Sequence, residues 1–336
     1  MPKHSIWFSR ALLASLLVIG GAGVAAAAPH APPVAHSRRF AFSYVVRVPA
    51  TKGRELRLWV PLAHSGPYQT ISGLRIESPV ACRVVRYRQG NEDAYFVLRG
   101  PQLRKPSEIR IRFHVLRREH TTRLPATDPP PINVKNNPAL AFYLRPARMI
   151  PLNGIIGRLS AETTRDVTDP LVKAHKIYEY VIAHMRYDKS GTGWGRGDAV
   201  WACSSHRGNC TDFHSLFIGM ARAAGIPARF RIGFPLPEGE HQGEIPGYHC
   251  WAEFYLNKVG WVPIDASQAW LDPSRNHFYF GNLDPDRVMF TMGRDLRLGP
   301  AQQGQPLNYF IYPYAELDGK PFSGVRHRFS FRDLAD

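Results

Sequence analysis

Cysteine and acidic residues are both scarce in this chain. Its 336 residues include four cysteines, and 27 Asp and Glu stand against 43 Lys and Arg. A chain of this length can bury a full hydrophobic core, so its stability does not depend on disulfide bonds. The excess of positive charge favours an anionic partner. No groove-reading nucleic-acid motif is present, so we expect no binding to nucleic acid.

Long apolar runs are confined to the N-terminus. Lys3 and Arg10 precede an apolar run at 11–24, and alanines follow at 25–28. This order is typical of a secretory signal peptide, here residues 1–28, with an uncleaved membrane anchor as the alternative. We therefore expect an exported protein that is periplasmic or secreted.

The patterns that follow predict an all-β, β-sandwich-like domain and then an α+β domain. Apolar and polar residues alternate in short runs over 38–120, which indicates strands. Residues 29–37 are rich in Pro and Ala and predict a disordered linker, and prolines indicate a second linker over 121–160. Helical and strand patterns share 161–336, including strands near the C-terminus. Most of the positive excess precedes residue 131, so an anionic envelope polymer or lipid surface is the expected partner of the first domain.

Cys210 is the residue around which the second domain is organised. Apolar residues recur at helical spacing after it, and Gly225 and Pro227 end the helix. The turn Gly208-Asn209 precedes it, which places Cys210 in the first helical turn. Free N–H groups and the positive end of the helix dipole favour a thiolate there. Cys210 is therefore a candidate nucleophile.

Two short strands supply the partners that a cysteine nucleophile needs. His249 begins the first strand and Asp265 ends the second, and a short connection makes them an antiparallel hairpin. A simple turn would place Asp265 opposite Ala252 rather than His249. A bulge at Gly260 could shift this pairing, so the sequence leaves the register of the hairpin open. A thiolate attacks an acyl carbon, an imidazole takes and returns the proton, and a carboxylate orients the imidazole.

Four blocks in this order resemble the transglutaminase-like superfamily, and in particular its bacterial exported branch. They are GNCTDF, AGIPAR, GYHCWAE and GWVPID, which lie within 170–295. The resemblance implies a papain-like fold for the α+β domain, with Cys210, His249 and Asp265 as a catalytic triad. It also implies acyl transfer or hydrolysis at amide bonds of a protein or peptide substrate, through a thioester. This chemistry requires no cofactor or metal, and the sequence has no calcium-binding D-x-D-x-D-G run.

The oxyanion of such a reaction needs two hydrogen-bond donors. The backbone N–H of Cys210 is the first. The side chains of Trp201, Trp194 and Tyr187 are candidates for the second, with simple packing as the alternative for each.

Two other hypotheses use different parts of the sequence. One is a zinc site with the spacing C-x2-H-x3-C-x3-H, formed by Cys203, His206, Cys210 and His214. It would leave the hairpin His and Asp unexplained. The other is a catalytically silent binding module that acts at the envelope through its basic β domain.

The remaining cysteines have no assigned chemistry. A bridge between Cys203 and Cys250 is possible in an exported chain, and the sequence does not decide it. Cys82 is expected to be a small buried apolar residue.

Overall fold

The computed structural model describes residues 36–87, 89–125 and 137–335. The predicted signal peptide, residues 1–28, lies outside these ranges, as do most of the first linker and residues 126–136 of the second. Within the described ranges, no helix combines the length and the apolar character needed to cross a membrane.

The N-terminal strands follow the alternation in the sequence. In the first strand Phe40, Phe42, Tyr44 and Val46 are buried, while the residues between them point outward. The strands are β1 (Ser37–Val48), β2 (Glu55–Leu62), β3 (Gln69–Glu77), β4 (Cys82–Arg86), β5 (Glu92–Arg99), β6 (Ser107–Arg118) and β7 (His120–Thr121). The expectation that Cys82 is buried is wrong, because its thiol is exposed on β4.

The second half of the chain mixes helices and strands. Its helices are α1 (Pro138–Ala141), α2 (Gly154–Thr163), α3 (Pro170–His184), α4 (Ala199–Ser205), α5 (Cys210–Ala223) and α6 (Ala266–Leu271). Its strands are β8 (Arg186–Tyr187), β9 (Arg207–Gly208), β10 (Ala228–Pro235), β11 (Gln242–Glu244), β12 (His249–Leu256), β13 (Gly260–Ile264), β14 (Asn282–Leu283), β15 (Arg287–Met292), β16 (Tyr314–Leu317), β17 (Lys320–Pro321) and β18 (Arg326–Asp333). Short 3-10 turns lie at Gly100–Leu103, Phe142–Leu144 and Pro273–Arg275.

Two five-stranded antiparallel sheets form the β-sandwich-like part, in the orders β11-β18-β1-β6-β3 and β17-β16-β2-β5-β4. The C-terminal strands, which the sequence grouped with residues 161–336, pair with these N-terminal sheets instead. The reason is apolar contact: the ring of Phe329 lies 4.3 Å from that of Tyr44, in the core that both halves share.

The segment 235–247 is rich in Pro, Gly and Glu, and it is paired over Gln242–Glu244 with β18. The N–H of Ile245 continues this pairing by donating to the carbonyl of Phe329 at 3.0 Å. Nη1 of Arg38 on β1 also donates to the carbonyl of Pro237 at 3.2 Å. The chain that leads to His249 is therefore anchored to the sandwich.

A four-stranded sheet, in the order β13-β12-β10-β15, packs against α5. Residues 210–221 of this helix are all buried, including four polar side chains. A helix that is buried all round lies at the centre of its domain. Each buried polar group on it requires a partner, and these partners build the site described below.

Two side-chain amides from the sandwich bind the free edge of β15. Gln69 donates to the carbonyl of Met289 at 2.9 Å and accepts from its N–H at 2.8 Å. Asn91 does the same with Met292, both at 2.8 Å. These amides replace the missing neighbouring strand and fix β15 relative to the sandwich.

A glycine in β10 tests this close packing. A Cβ on Gly233 would lie 1.8 Å from the carbonyl oxygen of Val288, at the irregularity where β10 meets β15. We expect Gly233→Ala to lower the free energy of unfolding by about 2 kcal/mol, because backbone must move. Gly66→Ala is the control, since no atom lies within 4 Å of its added Cβ. Equal urea midpoints for the two variants would contradict the packing described here.

Candidate functional site

The start of α5 is fixed by a reciprocal cap. The side chain of Asn209 accepts from the N–H of Thr211 at 2.9 Å, and Asp212 accepts from the N–H of Asn209 at 2.9 Å. A Cβ on Gly208 would lie 2.4 Å from the Asp212 carboxylate, so only glycine admits this arrangement. Cys210 is thereby held as the first residue of the helix, as the sequence predicted.

The Asp212 carboxylate also ties the preceding glycine-rich loop to the helix. It accepts from the N–H groups of Gly195 at 2.6 Å and Gly197 at 2.9 Å. Both glycines have positive φ angles, and a Cβ on Gly197 would clash with neighbouring side chains. The loop that borders Cys210 is therefore positioned by the same helix that carries it.

The hairpin of β12 and β13 brings His249 and Asp265 together. Ala252 pairs with Ile264 rather than with Asp265, so the pairing is shifted by one residue from that of a simple turn. The Nε2–H of His249 donates to Oδ2 of Asp265 at 2.6 Å. The other ring nitrogen is left free of Asp265, and the pKa values of Cys210 and His249 each respond to the other group, which places the thiol next to this imidazole. The three predicted triad residues therefore lie close together.

Asp265 is completely buried, and both of its oxygens have several partners. Oδ1 accepts from the N–H of Gln268 at 3.0 Å and from the hydroxyl of Ser267 at 3.1 Å. Asp265 thereby caps the N-terminus of α6. Oδ2, besides His249, accepts from Nη1 of Arg287 at 2.9 Å. These contacts fix the orientation of the carboxylate toward the imidazole.

Arg287 was not identified from the sequence. Its side chain is 3 % exposed and bridges Asp265 and Asp284, the latter at 2.7 Å. Its guanidinium carbon lies 5.2 Å from the ring centre of Trp251. Nothing in the local pattern around Arg287 marks it, because the contact depends on β15 lying beside β10 while Asp265 follows β13.

The electrostatics of the triad favour charged forms. Burial alone would raise the pKa of Asp265, but the charge and hydrogen bond of His249 and the charge of Arg287 hold it far below its usual range. Burial alone would lower the pKa of His249, yet Asp265 and Cys210 raise it to about 10. The pKa of Cys210, which burial would raise, is lowered by hydrogen bonds from Cys250 and His249 and by nearby imidazole charge. These shifts favour a thiolate beside an imidazolium.

Cys250 is the immediate neighbour of the Cys210 sulfur. Its thiol donates to Oγ1 of Thr211 at 3.8 Å, and its Sγ also lies 3.8 Å from Nδ1 of His214. Burial and the adjacent Cys210 sulfur raise the pKa of Cys250, which favours its protonated thiol form. All four cysteines of the chain are free, and Cys250 contacts Cys210 rather than Cys203.

The geometry does not support the zinc hypothesis. Nδ1 of His214 lies 2.7 Å from the carbonyl of Cys210 and must donate to it, while Nε2 accepts from the N–H of Ala266 at 3.2 Å. No lone pair is left on this imidazole for a metal. His206 is exposed and bonded to the carbonyl of His184. Throughout the described ranges, no group of three potential ligands converges on one point.

The three oxyanion candidates lie in different surroundings. Burial and the charge of Cys210 raise the pKa of Tyr187 well above its usual range, which places the Tyr187 hydroxyl near Cys210. The indole N–H of Trp194 donates to the carbonyl of Gly191 at 3.2 Å. Trp201 lies against the backbone of Gly193. Tyr187 is the candidate whose polar group is next to the first donor.

Tyrosines from two distant segments cover the nucleophile, which is only 2 % exposed. The hydroxyl of Tyr248 lies 2.9 Å from that of Thr211 and accepts from the Asn209 amide at 3.1 Å. Its ring packs near Tyr309 and Tyr312, at 5.7 and 6.0 Å between centres. Tyr248 directly precedes His249, a signal that the sequence offered, whereas Tyr309 and Tyr312 reach the site only through the fold.

Comparison with known proteins identifies related sequences. Residues 157–266 match the model of the transglutaminase-like superfamily. An uncharacterized protein of Haemophilus influenzae is 28% identical over 324 residues, which cover 86% of this chain and 88% of that protein. The uncharacterized protein YebA of Bacillus subtilis is 30% identical over 77 residues, which cover 20% of this chain and 10% of YebA.

Comparison with solved structures concerns the fold. A protein of Cytophaga hutchinsonii, named as a candidate cysteine protease, has a TM-score of 0.65 at 14% identity, over 90% of this chain and 92% of that chain. At this identity the likeness shows the fold alone. The predicted fold class, a β-sandwich-like part followed by a papain-like α+β domain, is confirmed. The predicted likeness to the transglutaminase-like superfamily is shown over residues 157–266.

Proposed function

We propose that this protein is an exported cysteine enzyme that acts on peptide or isopeptide bonds through a thioester. Cys210 is the nucleophile, His249 carries the proton and Asp265 orients the imidazole. The observation that carries the proposal is the hydrogen bond at 2.6 Å from Nε2 of His249 to the buried Asp265, with the Cys210 thiol next to the same imidazole. Export is proposed from the signal-like pattern of residues 1–28.

The first half of the reaction forms the thioester. The Cys210 thiolate attacks the carbonyl carbon of the amide, and the carbonyl electrons move to oxygen. The backbone N–H of Cys210 donates to this oxyanion, with the hydroxyl of Tyr187 as the proposed second donor. His249, already protonated, gives its proton to the amide nitrogen. The C–N bond breaks and the amine leaves.

The second half regenerates the thiolate. Water, or a primary amine, attacks the thioester carbon while neutral His249 takes its proton. The C–S bond breaks, the acyl group leaves as a carboxylic acid or a new amide, and the pair of thiolate and imidazolium is restored. Every proton transfer in both halves passes through His249.

Entry of substrate requires a local movement. Cys210 is buried, and the hydroxyl of Tyr187 lies near it. A substrate carbonyl would therefore displace this hydroxyl to the side, from where it can donate to the oxyanion. The surrounding tyrosines offer an aromatic wall for the substrate side chain.

The nucleophile is tested by substitution. Casein hydrolysis should fall at least about 1,000-fold in Cys210→Ala, because no other group can form the thioester. Cys203→Ala is the matched control, since this buried thiol lies on α4 outside the triad and its loss should leave most activity. Appearance of new amino termini measures hydrolysis, and incorporation of dansylcadaverine measures transamidation. Equal activity of wild type and Cys210→Ala in both assays would contradict the proposed function.

The charge on Arg287 should set the acidic limit of activity. Arg287→Gln removes a cation that stabilises ionised Asp265, so the pKa of Asp265 rises and less carboxylate is present at low pH. Activity should therefore disappear at a higher pH on the acidic side, as measured by kcat/KM against pH. Arg287→Lys keeps the charge and should restore most of the acidic limb. A uniform loss at every pH would indicate a structural role only.

The Cys250 thiol should stabilise the thiolate by donating to it. Cys250→Ala removes this donor, so the pKa of Cys210 should rise and its alkylation by iodoacetamide should require a higher pH. Cys250→Ser retains a donor and is expected to resemble wild type. Mass spectrometry of the Cys210 peptide follows the rate, and identical pH profiles for the alanine variant and wild type would contradict this role.

A further inference from the structure

The outer face of the sheet β11-β18-β1-β6-β3 forms a groove that the proposed catalysis does not use. Its floor is the strand β1, where the outward residues Ala41 and Ser43 are small. The neighbouring strands β6 and β18 carry long side chains that form its walls. The groove has a volume of about 950 Å³.

Its walls are strongly basic. Arg75 and Arg112 line one side, Arg328 and Arg332 line the other, and Glu244 is the acidic residue of the lining, for a formal charge of +3. Arg112 pairs with Glu77 at 3.1 Å, and Arg328 pairs with Glu244. Arg75 and Arg332 have no carboxylate within 4 Å in the described part of the chain. Exposed ion pairs of this kind are weak, so all four guanidinium groups remain able to bind an external anion.

The strand register spreads these charges along a line. Arg332 on β18 and His114 on β6 lie on either side of Ala41. Two residues further along β1, Ser43 lies opposite Arg112 on β6. Arg112 in turn pairs with Arg75 on β3. Successive outward positions are about 7 Å apart along a strand, and the two walls are about 10 Å apart. Charges arranged in this way match a chain of anionic groups and not a single small anion.

We propose that this groove binds a linear polyanion that lacks aromatic bases, such as an acidic polysaccharide, along β1. Arginine suits the carboxylate and phosphate groups of such a chain, because its fork donates two parallel hydrogen bonds. The rings of Phe42, Phe113 and Phe331 in the same strands are buried, so they offer nothing on which nucleic-acid bases could stack. The floor lies below the arginine side chains, which fits a polymer strand and not a flat bilayer.

The groove is connected to the proposed active site through the backbone. β11 supplies Gln242 and Glu244 to the groove wall, and His249 follows five residues after Glu244. A polymer bound in the groove would therefore hold the proposed active site near amide bonds in the material to which the polymer belongs. This binding goes beyond the proposed catalysis and is measured without it.

The test compares two double variants of the full chain. Arg75→Gln with Arg332→Gln removes the two unpaired groove cations. Arg83→Gln with Arg104→Gln removes the same charge from exposed positions elsewhere in the sandwich. Binding of polygalacturonate is measured by calorimetry at low salt, with fully methyl-esterified polygalacturonate as the uncharged control. We expect the groove variant to bind about ten-fold more weakly, the control variant to match wild type, and the ester not to bind.

The other outcomes overturn the proposal. An equal loss in both double variants would mean that net charge alone attracts the polymer. Binding of the ester would remove the role of the anions. Tighter groove-dependent binding to vesicles of anionic phospholipid or to oligothymidine would assign the face to a membrane or to nucleic acid. Iodoacetamide labelling of Cys210 should be unchanged in the groove variant, which separates this result from the fate of the catalytic proposal.

Discussion

The buried carboxylate of Asp265 is the constraint on which the site depends. An isolated ionised carboxylate in a protein interior costs several kcal/mol, so the fold must surround it with donors. It receives them from His249 on β12, Ser267 and Gln268 on α6, and Arg287 on β15. A shift of any of these elements by one residue would leave a charge unpaired. The ion pairs thereby specify the register of the four-stranded sheet as well as the protonation of the imidazole.

This requirement links the two halves of the molecule. Arg287 can reach Asp265 only if β15 is held in place, and the amides of Gln69 and Asn91 hold β15 from the sandwich side. The C-terminal strand β18 returns to the N-terminal sheet and anchors the segment that leads to His249. The sandwich is thus part of the support for the triad, in addition to the basic surface that it presents.

The parts of the site that local sequence controls could be predicted. Helical spacing after Cys210 placed the thiol at a helix start, and a short connection placed His249 and Asp265 on one hairpin. The sequence left the hairpin register open, and the structure shifts it by one residue from that of a simple turn, because the turn takes three residues and Lys258 adopts a positive φ of 63°. Cys250, Arg287 and Tyr309 could not be assigned, because their contacts join segments that are distant in the sequence. The pairing of β16 and β18 with the N-terminal sheets could not be predicted for the same reason.

The account claims that Cys210 is a thiolate at neutral pH because a protonated His249, held by Asp265, lies beside it. The most direct test is the ultraviolet absorbance of the thiolate near 240 nm, recorded against pH for wild type and for Cys210→Ser. The account predicts a difference between the two proteins that is fully present at neutral pH and disappears only in acid. A difference that develops only above about pH 8.5, as for an ordinary thiol, would contradict it.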